Sequence, residues 1–207
     1  MQQTISSTRQ RLRKARNDIP TTTRRYYNRL IHQHLLTSGL FNRRARIAGY
    51  LANDGEPSID PLIQKQHKAN RPFYLPTLRK KKLVFKPYLN SDALVHNRFN
   101  IPEPVGHQYF NPKYLNIMLM PLVGFDEQGN RLGMGGGFYD RTLSFTLRPC
   151  CTKQPLLIGV AYSQQKVNQL QSQAWDIPLD AVITEQGVQC FSNRSKALLR
   201  STRAKKI

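Results

Sequence analysis

The sequence predicts an α/β fold, a single three-layer domain in which helices flank a mostly parallel β-sheet. Several short runs are apolar at nearly every position, as in strands that are buried on both faces, and the most apolar of them is residues 116–125. Helical segments lie between these runs, which favours parallel strands joined by crossovers. The 207 residues suffice for one such domain and hardly for two.

The N-terminal part of the chain is predicted to be helical. Residues 4–17 are polar and basic, and their only apolar side chains are Ile5, Leu12 and Ala15. A helix with so few apolar side chains either packs lightly or reaches towards a ligand. The residues Asp-Ile-Pro-Thr at 18–21 end this helix, and a second helix with apolar residues at helical spacing follows and ends at positions 38–39, Ser-Gly.

The remainder of the chain alternates between predicted strands and helices. The strands are placed at residues 46–52, 72–76, 83–89, 116–125, 156–162, 181–184 and 188–191, with an extended segment at 101–104. The helices are placed at residues 58–69, 138–147 and 166–173. The basic run at residues 79–82 lies between two strands and is most simply a solvated turn.

The formal net charge of +20 is concentrated at the two ends of the chain. Residues 1–46 hold eleven Lys or Arg and one acid, and residues 193–207 hold six Lys or Arg and no acid. Strong positive charge is typical of proteins that bind nucleic acid, so this function is a second hypothesis. No RNA- or DNA-binding motif accompanies the charge, and we therefore expect no nucleic-acid partner.

Other features of the sequence argue against membrane and secreted classes. The longest apolar stretch, residues 117–125, is interrupted by Pro121 and Gly124 and is too short to cross a bilayer. The first residues lack the apolar core of a secretory signal. The three cysteines form no CxxC pair and suit free thiols in a reducing compartment. We therefore expect a cytoplasmic protein that contacts no membrane.

A glycine-rich loop carries the most chemical information. Glycines at position 133 and at 135–137 follow an apolar strand and precede a helix, so backbone N–H groups can approach an anion such as phosphate closely. Arg131 and Arg141 add positive charge, and Asp140 can hold a Mg²⁺ ion that bridges phosphate oxygens. The plainer alternative is a tight turn followed by a helix that Asp140 caps. The loop matches neither a Walker A motif nor a Rossmann fingerprint.

The segment around this loop resembles the signature of the 5-formyltetrahydrofolate cyclo-ligase family, and most closely its bacterial members. The residues in step with that signature are Pro121, Phe125, Asp126, Gly129, Arg131, Leu132, Gly133, Gly135, Gly137, Phe138, Tyr139, Asp140 and Arg141. Shorter resemblances lie at residues 51–56, 74–76, 100–104, 158–165 and 175–185. The similar region therefore runs from about position 8 to position 191.

The resemblance implies an ATP- and Mg²⁺-dependent enzyme that converts 5-formyltetrahydrofolate to 5,10-methenyltetrahydrofolate and releases ADP and phosphate. In that reaction the formyl oxygen takes the γ-phosphoryl group, the N10 atom of the folate attacks the activated carbon, and phosphate leaves. The substrate supplies the attacking nitrogen, so the protein mainly positions the reactants and neutralises phosphate charge. A relative with the same ATP site that acts on another formyl or amide compound is an alternative.

The resemblance also assigns roles to individual residues. It implies that Arg131, Tyr139 and Arg141 are catalytic and that Asp140 and Asp180 hold Mg²⁺. The implied ATP-binding residues are Arg9, Gln10, Arg11, Leu12, Arg13, Arg131, Leu132, Gly133, Met134, Gly135, Gly136, Gly137, Phe138 and Tyr139. The implied folate-binding residues are Leu51, Glu56, Tyr74, Phe99 and Ile101.

Some of these residues also have structural explanations. Glu56 can be a turn carboxylate and Asp180 can cap or pair locally. The three candidates for packing on the folate rings, Tyr74, Phe99 and Ile101, can belong to the core.

The resemblance leaves the C-terminal segment unexplained. We divide the chain into a cyclo-ligase-like domain at residues 1–192, which includes the basic first helix, and a basic tail at residues 193–207. The tail is either disordered or placed to attract the polyglutamate chains of cellular folates. The expected partner is a small molecule, a reduced folate that can be polyglutamylated, and the protein is expected to be a monomer.

Overall fold

Parallel pairing of short apolar strands organises the chain in the computed structural model, which describes residues 4–39, 45–89, 92–148 and 151–203. Its helices are α1 (Ile5–Asn17), α2 (Thr21–Thr37), α3 (Asp60–Lys68), α4 (Phe138–Leu143) and α5 (Asn193–Arg203). Its strands are β1 (Ile47–Ala48), β2 (Phe73–Arg79), β3 (Lys82–Tyr88), β4 (Leu94–His96), β5 (Pro102–Pro104), β6 (Ile117–Pro121), β7 (Gly124–Phe125), β8 (Arg131–Leu132), β9 (Leu156–Val160), β10 (Ala181–Thr184) and β11 (Gly187–Cys190). Short 3₁₀ turns lie at Pro112–Tyr114, Ser144–Leu147 and Ser163–Gln165.

Seven of these strands form the central sheet, in the order β11-β10-β9-β6-β1-β2-β3. The five inner strands pair in parallel, and only the two edge strands, β11 and β3, run antiparallel to their neighbours. Because the inner strands are parallel, their carboxyl ends all lie at one edge of the sheet. The predicted α/β class with a mostly parallel sheet is confirmed.

Both faces of the sheet are buried, as the unbroken apolar runs predicted. On β6, Ile117 and Leu119 pack in a cluster that includes side chains of α2 and α3. Met118 and Met120 point the other way into a second cluster, which includes Leu143 of α4. The alternation along one strand therefore feeds two hydrophobic layers, one on each side of the sheet.

Helix α1 packs at the carboxyl edge of the sheet through a small apolar contact. Leu12 is buried in a cluster with Val123 and Leu132. A Cβ atom on Gly124 would lie 2.6 Å from Leu12 Cδ1, so the absent side chain allows the helix to approach closely. The basic helix therefore packs through one leucine and leaves its arginines for other contacts.

Two expectations on secondary structure need correction, and a third, which holds, gains detail. The helix predicted at residues 166–173 is absent, because backbone donors there are engaged elsewhere: Val167 N–H donates to Phe125 O (2.9 Å) and Leu170 N–H donates to Asp126 Oδ2 (3.0 Å). The run at 116–125 is two strands, β6 and β7, of which β7 leaves the main sheet to pair with β8. The extended segment at 101–104 is one strand of a hairpin, β4–β5.

The segment after residue 192 begins as a helix, α5, that packs beside β11. Ser195 is buried, and its hydroxyl donates to the backbone oxygen of Asp180 (2.7 Å). The last four residues, 204–207, lie outside the described residues, and the division of the chain at residue 192 stays a prediction. Within the described ranges, no helix is long and apolar enough to cross a membrane.

The central strand supplies a test of the packing. We expect Leu119→Ala to lower the free energy of unfolding by about 2–5 kcal/mol, because Leu119 is fully buried and its truncation leaves a cavity. Urea denaturation followed by circular dichroism measures the change. The control is Leu147→Ala at an exposed leucine, which should cost within about 0.5 kcal/mol. Equal losses in the two variants would contradict this description of the core.

Candidate active site

A large cavity opens at the carboxyl edge of the parallel strands. Its volume is about 1410 Å³, whereas sites for one small molecule usually measure about 300–1,000 Å³. Its wall is built from α1, the segment after β1, the β2–β3 and β4–β5 hairpins, the glycine-rich loop and the segment at residues 167–176. Ligands of open α/β sheets bind at this edge. The cavity therefore has both the position and the size to hold two substrates together.

The glycine-rich loop forms one wall of the cavity. Gly135 has a φ of +93° and Gly137, the residue before α4, a φ of +60°, which is a backbone region that L side chains rarely adopt. Within the described part of the chain, no backbone N–H group of residues 133–137 donates a hydrogen bond. The loop therefore presents free amide donors, which suit an anion.

Two arginines hold the loop from either side through its carbonyl groups. Arg9 Nε of α1 donates to Gly133 O at 2.8 Å. Arg141 of α4 donates through Nε to Lys81 O (2.7 Å) and through Nη2 to Gly136 O. Both side chains line the cavity, so they place positive charge beside the free amides. The wall combines the two kinds of group that bind phosphate most strongly, guanidinium and backbone N–H.

Arg131 and Asp140 form an ion pair at the base of the loop. The guanidinium Nη2 contacts Asp140 Oδ1, and the side chain of Arg131 is only 4% exposed. Burial lowers the pKa of Arg131, and the charges of Asp140 and Asp176 oppose that change. Ile177 N–H also donates to Asp140 Oδ1 (3.3 Å), whereas no described group donates to Oδ2. Asp140 therefore keeps one free carboxylate oxygen for a cation.

The expectation that Asp180 also holds Mg²⁺ is not supported by its position. Asp180 precedes β10 and so lies at the amino edge of the sheet, away from the cavity. Its Oδ2 accepts from Leu157 N–H (2.9 Å) and its Oδ1 accepts from the Ser192 hydroxyl (2.5 Å), so both oxygens are engaged in local pairing. This is the structural alternative that the sequence left open.

Asp176 is the carboxylate that the sequence interpretation missed. It lines the cavity and precedes Ile177, whose N–H group contacts Asp140. Among the described groups, one donates to its carboxylate: Gln173 N–H, to Oδ2 (2.8 Å). The sequence does contain a signal that distinguishes Asp180 from Asp176. Asp180 directly precedes a strand, and an acid at that position lies at the amino edge of the sheet. Among the described residues no group of three or more metal-ligating side chains occurs. Mg²⁺ needs only one or two carboxylates beside substrate phosphates.

The predicted basic arm, residues 9–13, reaches the cavity only in part. Arg9, Arg11 and Arg13 line it, whereas Gln10 and Leu12 do not. Leu12 is a core residue and Gln10 is exposed to solvent. Because successive residues of a helix point in different directions, five in a row cannot all face one ligand. The assignments of Gln10 and Leu12 to ATP binding are therefore corrected. The predicted loop residues, 131–139, all border the cavity.

Four of the five predicted folate residues border the same cavity. Leu51, Glu56, Phe99 and Ile101 line it. Tyr74 does not: it is buried in the core, with its ring centroid 4.5 Å from that of Phe110. Its assignment as a ligand contact is corrected, because β2 turns this side chain away from the cavity and into a hydrophobic layer.

Glu56 is the most unusual carboxylate of the site. Burial raises its pKa to about 7, and the nearby charge of Arg16 opposes the rise. Its Oε2 accepts from Asn53 N–H (3.1 Å), and its Oε1 lies 3.9 Å from Arg16 Nη1. Burial raises the pKa of Tyr139, and the charge of Glu56 raises it further, so this phenol stays neutral and can donate a hydrogen bond. The fully buried Arg16 was not singled out in the sequence.

Comparisons with known proteins converge on one family. The model of the 5-formyltetrahydrofolate cyclo-ligase family matches residues 1–185. The 5-formyltetrahydrofolate cyclo-ligase of Haemophilus influenzae is 38% identical over 176 residues, which are 83% of this chain and 92% of that protein. The Escherichia coli enzyme of the same name is 41% identical over 143 residues, 67% and 76% of the two chains. The solution structure of 5,10-methenyltetrahydrofolate synthetase from Aquifex aeolicus superposes with a TM-score of 0.79 at 29% identity, covering 91% of this chain and 93% of that one.

The loop geometry gives a prediction for nucleotide binding. We expect Gly135→Ala to weaken binding of Mg-ATP by about tenfold or more, because the added Cβ is strained at a positive φ and would lie 3.4 Å from the Arg9 guanidinium. Trp175, the single tryptophan, lines the cavity, so its fluorescence during a titration with Mg-ATP measures the affinity.

The matched control is Gly106→Ala. Gly106 also has a positive φ, +123°, but its Cβ would meet nothing within 4 Å. Both variants should lose stability, and only Gly135→Ala should lose affinity. Equal affinities in the two variants would show that the loop does not hold the nucleotide.

Proposed function

The chain belongs to the 5-formyltetrahydrofolate cyclo-ligase family, and from that premise we propose that it closes 5-formyltetrahydrofolate to 5,10-methenyltetrahydrofolate with ATP and Mg²⁺. One observation carries the proposal. A single cavity of about 1410 Å³ is lined both by an anion-binding loop and by a second wall with a buried carboxylate, Glu56, and the apolar side chains of Leu51, Phe99 and Ile101. The two walls match a nucleotide triphosphate and a reduced pterin with its attached ring.

The reaction transfers a phosphoryl group and then closes a ring. The formyl oxygen bonds to the γ-phosphorus, and the bond to ADP breaks. The lone pair of N10 attacks the activated formyl carbon, N10 loses its proton, and the carbon–oxygen bond breaks to release phosphate. Because N10 is the nucleophile, the chain needs to position the reactants and stabilise phosphate charge rather than supply an attacking side chain.

The loop residues suit the phosphoryl transfer. The free amides of residues 133–137 and the guanidinium of Arg9 face the place where the triphosphate binds in this proposal. Arg131, held by Asp140, and Arg141 supply charge for the transferred oxygens, and the neutral Tyr139 hydroxyl can donate to one of them. Arg131, Tyr139 and Arg141 thus keep the catalytic roles that the family resemblance implied.

The carboxylates at the base of the loop suit a magnesium ion. Asp140 and Asp176 each retain an oxygen without a described hydrogen-bond donor, and the charges of both act on Arg131. Bound there with two carboxylate ligands, Mg²⁺ would neutralise part of the charge on the triphosphate. We therefore assign the metal to Asp140 and Asp176, in place of Asp140 and Asp180.

Glu56 suits the folate. Its buried carboxylate can accept hydrogen bonds from the N–H groups of a pterin, and Phe99 can pack on the flat rings. Phe99 also meets Phe138 of the loop edge to face, with ring centroids 5.9 Å apart, so the folate wall touches the nucleotide wall at this point. The contact keeps the two proposed substrates next to each other.

The location and the partners follow from the same proposal. Free thiols at Cys151 and Cys190 suit a reducing compartment, so we place the monomeric enzyme in the cytoplasm with a reduced folate as its substrate. The tail hypothesis for polyglutamate stays a prediction. Helix α5 starts beside Ser192 and Asp180, at the amino edge of the sheet.

The pterin contact predicts a change in substrate affinity. We expect Glu56→Gln to raise the KM for 5-formyltetrahydrofolate by about 10–100-fold while Mg-ATP binding is retained, since a hydrogen bond to a charged group contributes about 1.5–3 kcal/mol. The assay follows the near-ultraviolet absorption of the methenyl product together with ADP release. Because the pKa of Glu56 is about 7, the KM of the unmodified protein should rise as the pH falls through 7.

In Glu56→Gln, the KM for 5-formyltetrahydrofolate should not depend on pH in this way. The exposed Glu127, which pairs with Lys166 at the surface, provides the control Glu127→Gln, with an unchanged KM. Absence of folate-dependent ADP release from the unmodified protein would overturn the proposed function, and an unchanged KM in Glu56→Gln would remove the pterin contact from it.

The metal assignment predicts different behaviour of two nearby aspartates. We expect Asp176→Asn to raise the Mg²⁺ concentration needed for half-maximal activity by about tenfold or more, because one of two carboxylate ligands is lost. Asp180→Asn should leave that concentration unchanged, since Asp180 lies at the far edge of the sheet. Magnesium titrations at saturating ATP measure both. The reverse result would restore the original assignment of Asp180.

A further inference from the structure

Helix α1 contacts both walls of the cavity. Near its start, Arg9 donates to the glycine-rich loop at Gly133 O. Near its end, Arg13, Arg16 and Asn17 all contact the carboxylate of Asp54, in the turn that carries Glu56. Residues three and four apart share one face of a helix, so a single face of α1 holds this turn. One rigid element therefore joins the nucleotide wall to the folate wall.

Arg16 is the buried centre of these contacts. Its side chain is 0% exposed, and Nη2 contacts Asp54 Oδ2 at 2.7 Å. Nη1 donates to Leu122 O at the end of β6 (3.2 Å) and lies 3.9 Å from Glu56 Oε1. A charge without exposure needs a partner, and Arg16 has two carboxylates and a carbonyl. Arg13, by contrast, contacts the same Asp54 from a side chain that is half exposed.

The turn that carries Glu56 depends on α1 for its shape. Asp54 and Gly55 both have positive φ values, +50° and +76°. A Cβ on Gly55 would lie 2.2 Å from Asn17 Oδ1, so the turn is pressed against the helix. Within the turn, Glu56 N–H donates to Asn53 O (3.0 Å), and Asn53 N–H donates to the Glu56 carboxylate. The position of Glu56 is thus set by the turn, and that of the turn by α1.

We propose that Arg16 is a positioning residue for the folate: it fixes the Asp54–Glu56 turn at the cavity wall and keeps the Glu56 carboxylate aimed at the pterin. The proposal rests on the proposed function, because it takes the folate as the ligand of Glu56. Arg16 itself does not line the cavity and touches neither substrate. Its effect on the reaction passes through Glu56.

Two charged neighbours, Arg16 and Asp54, shift the pKa of Glu56 in opposite directions, which makes the role of Arg16 testable. Burial raises the pKa of Glu56 to about 7, the charge of Arg16 and the hydrogen bond from Asn53 lower it, and the charge of Asp54 raises it. The other titratable groups that face it, Tyr50 and Tyr139, have raised pKa values and are neutral. Removing Arg16 should therefore raise the pKa of Glu56 above 7, and removing the charge of Asp54 should lower it.

The experiment measures the KM for 5-formyltetrahydrofolate against pH in two variants of the full chain. We expect Arg16→Met to raise this KM by about tenfold or more at neutral pH, with Mg-ATP affinity retained. The midpoint pH of the KM profile should also move to a higher value in this variant. Asp54→Asn should shift that pH to a lower value. A general loss of structure would lower kcat in both variants and would not move the two profiles in opposite directions.

Lys14→Met is the matched control for the loss of a cation from α1. Lys14 is 75% exposed and, among the described residues, forms an ion pair only with Asp18, so its variant should keep both the KM and its pH profile. If Arg16→Met does not fold, Arg16→Lys and Asp54→Asn decide the question. Arg16→Lys keeps the charge and should keep the profile near its original pH, while KM rises because the fork geometry is lost.

A second measurement separates this inference from the proposed function. The Glu56 carboxyl resonance in a ¹³C NMR titration, identified by its absence in Glu56→Gln, reports its protonation without turnover. Opposite shifts of this titration in Arg16→Met and Asp54→Asn support the role of Arg16 even if the protein forms no methenyl product. The absence of that product would overturn the proposed function alone. Unmoved profiles and an unmoved resonance in an active protein would overturn the role of Arg16.

Discussion

The parallel pairing of β6 between β1 and β9 is the constraint on which the rest of the structure depends. Both faces of β6 are buried, so its register with both neighbours is fixed by two hydrophobic layers at once. This pairing brings the carboxyl ends of the inner strands to one edge. The turn after β1 and the loop after β6 are thereby brought to a common cavity, although more than 70 residues separate them in sequence.

Ion pairs and hydrogen bonds then hold helix α1 at this edge of the sheet. The first helix has too little apolar surface to pack deeply, and one leucine fastens it to the edge. Guanidinium groups make further contacts of this helix: Arg9 donates to a backbone oxygen of the loop, and Arg16 pairs with the carboxylate of Asp54. Partial burial raises the pKa of Asp54, but Arg13, Asn17 and Arg16 outweigh it and hold the pKa below its usual range. The local excess of positive charge therefore has a structural use beyond ligand binding.

Much of the fold and part of the site could be predicted from the sequence. Runs of apolar residues marked the buried strands, and the glycines at 133–137 marked the anion loop, because both signals are local. Four predicted site residues, Gln10, Leu12, Tyr74 and Asp180, lie away from the cavity, because strand and helix direction decide which way a side chain points and a motif does not record it. Arg16 and Asp176 were missed because their importance comes from neighbours 36 residues or more away and from burial, which spacing does not reveal.

The start of helix α1 limits what can be joined in front of it. Helix α1 begins at Ile5, and that residue already borders the cavity. A purification tag, fluorescent reporter or surface linker fused directly before this helix would therefore stand beside the cavity. Immobilised or labelled forms of the protein are better made through exposed residues away from it.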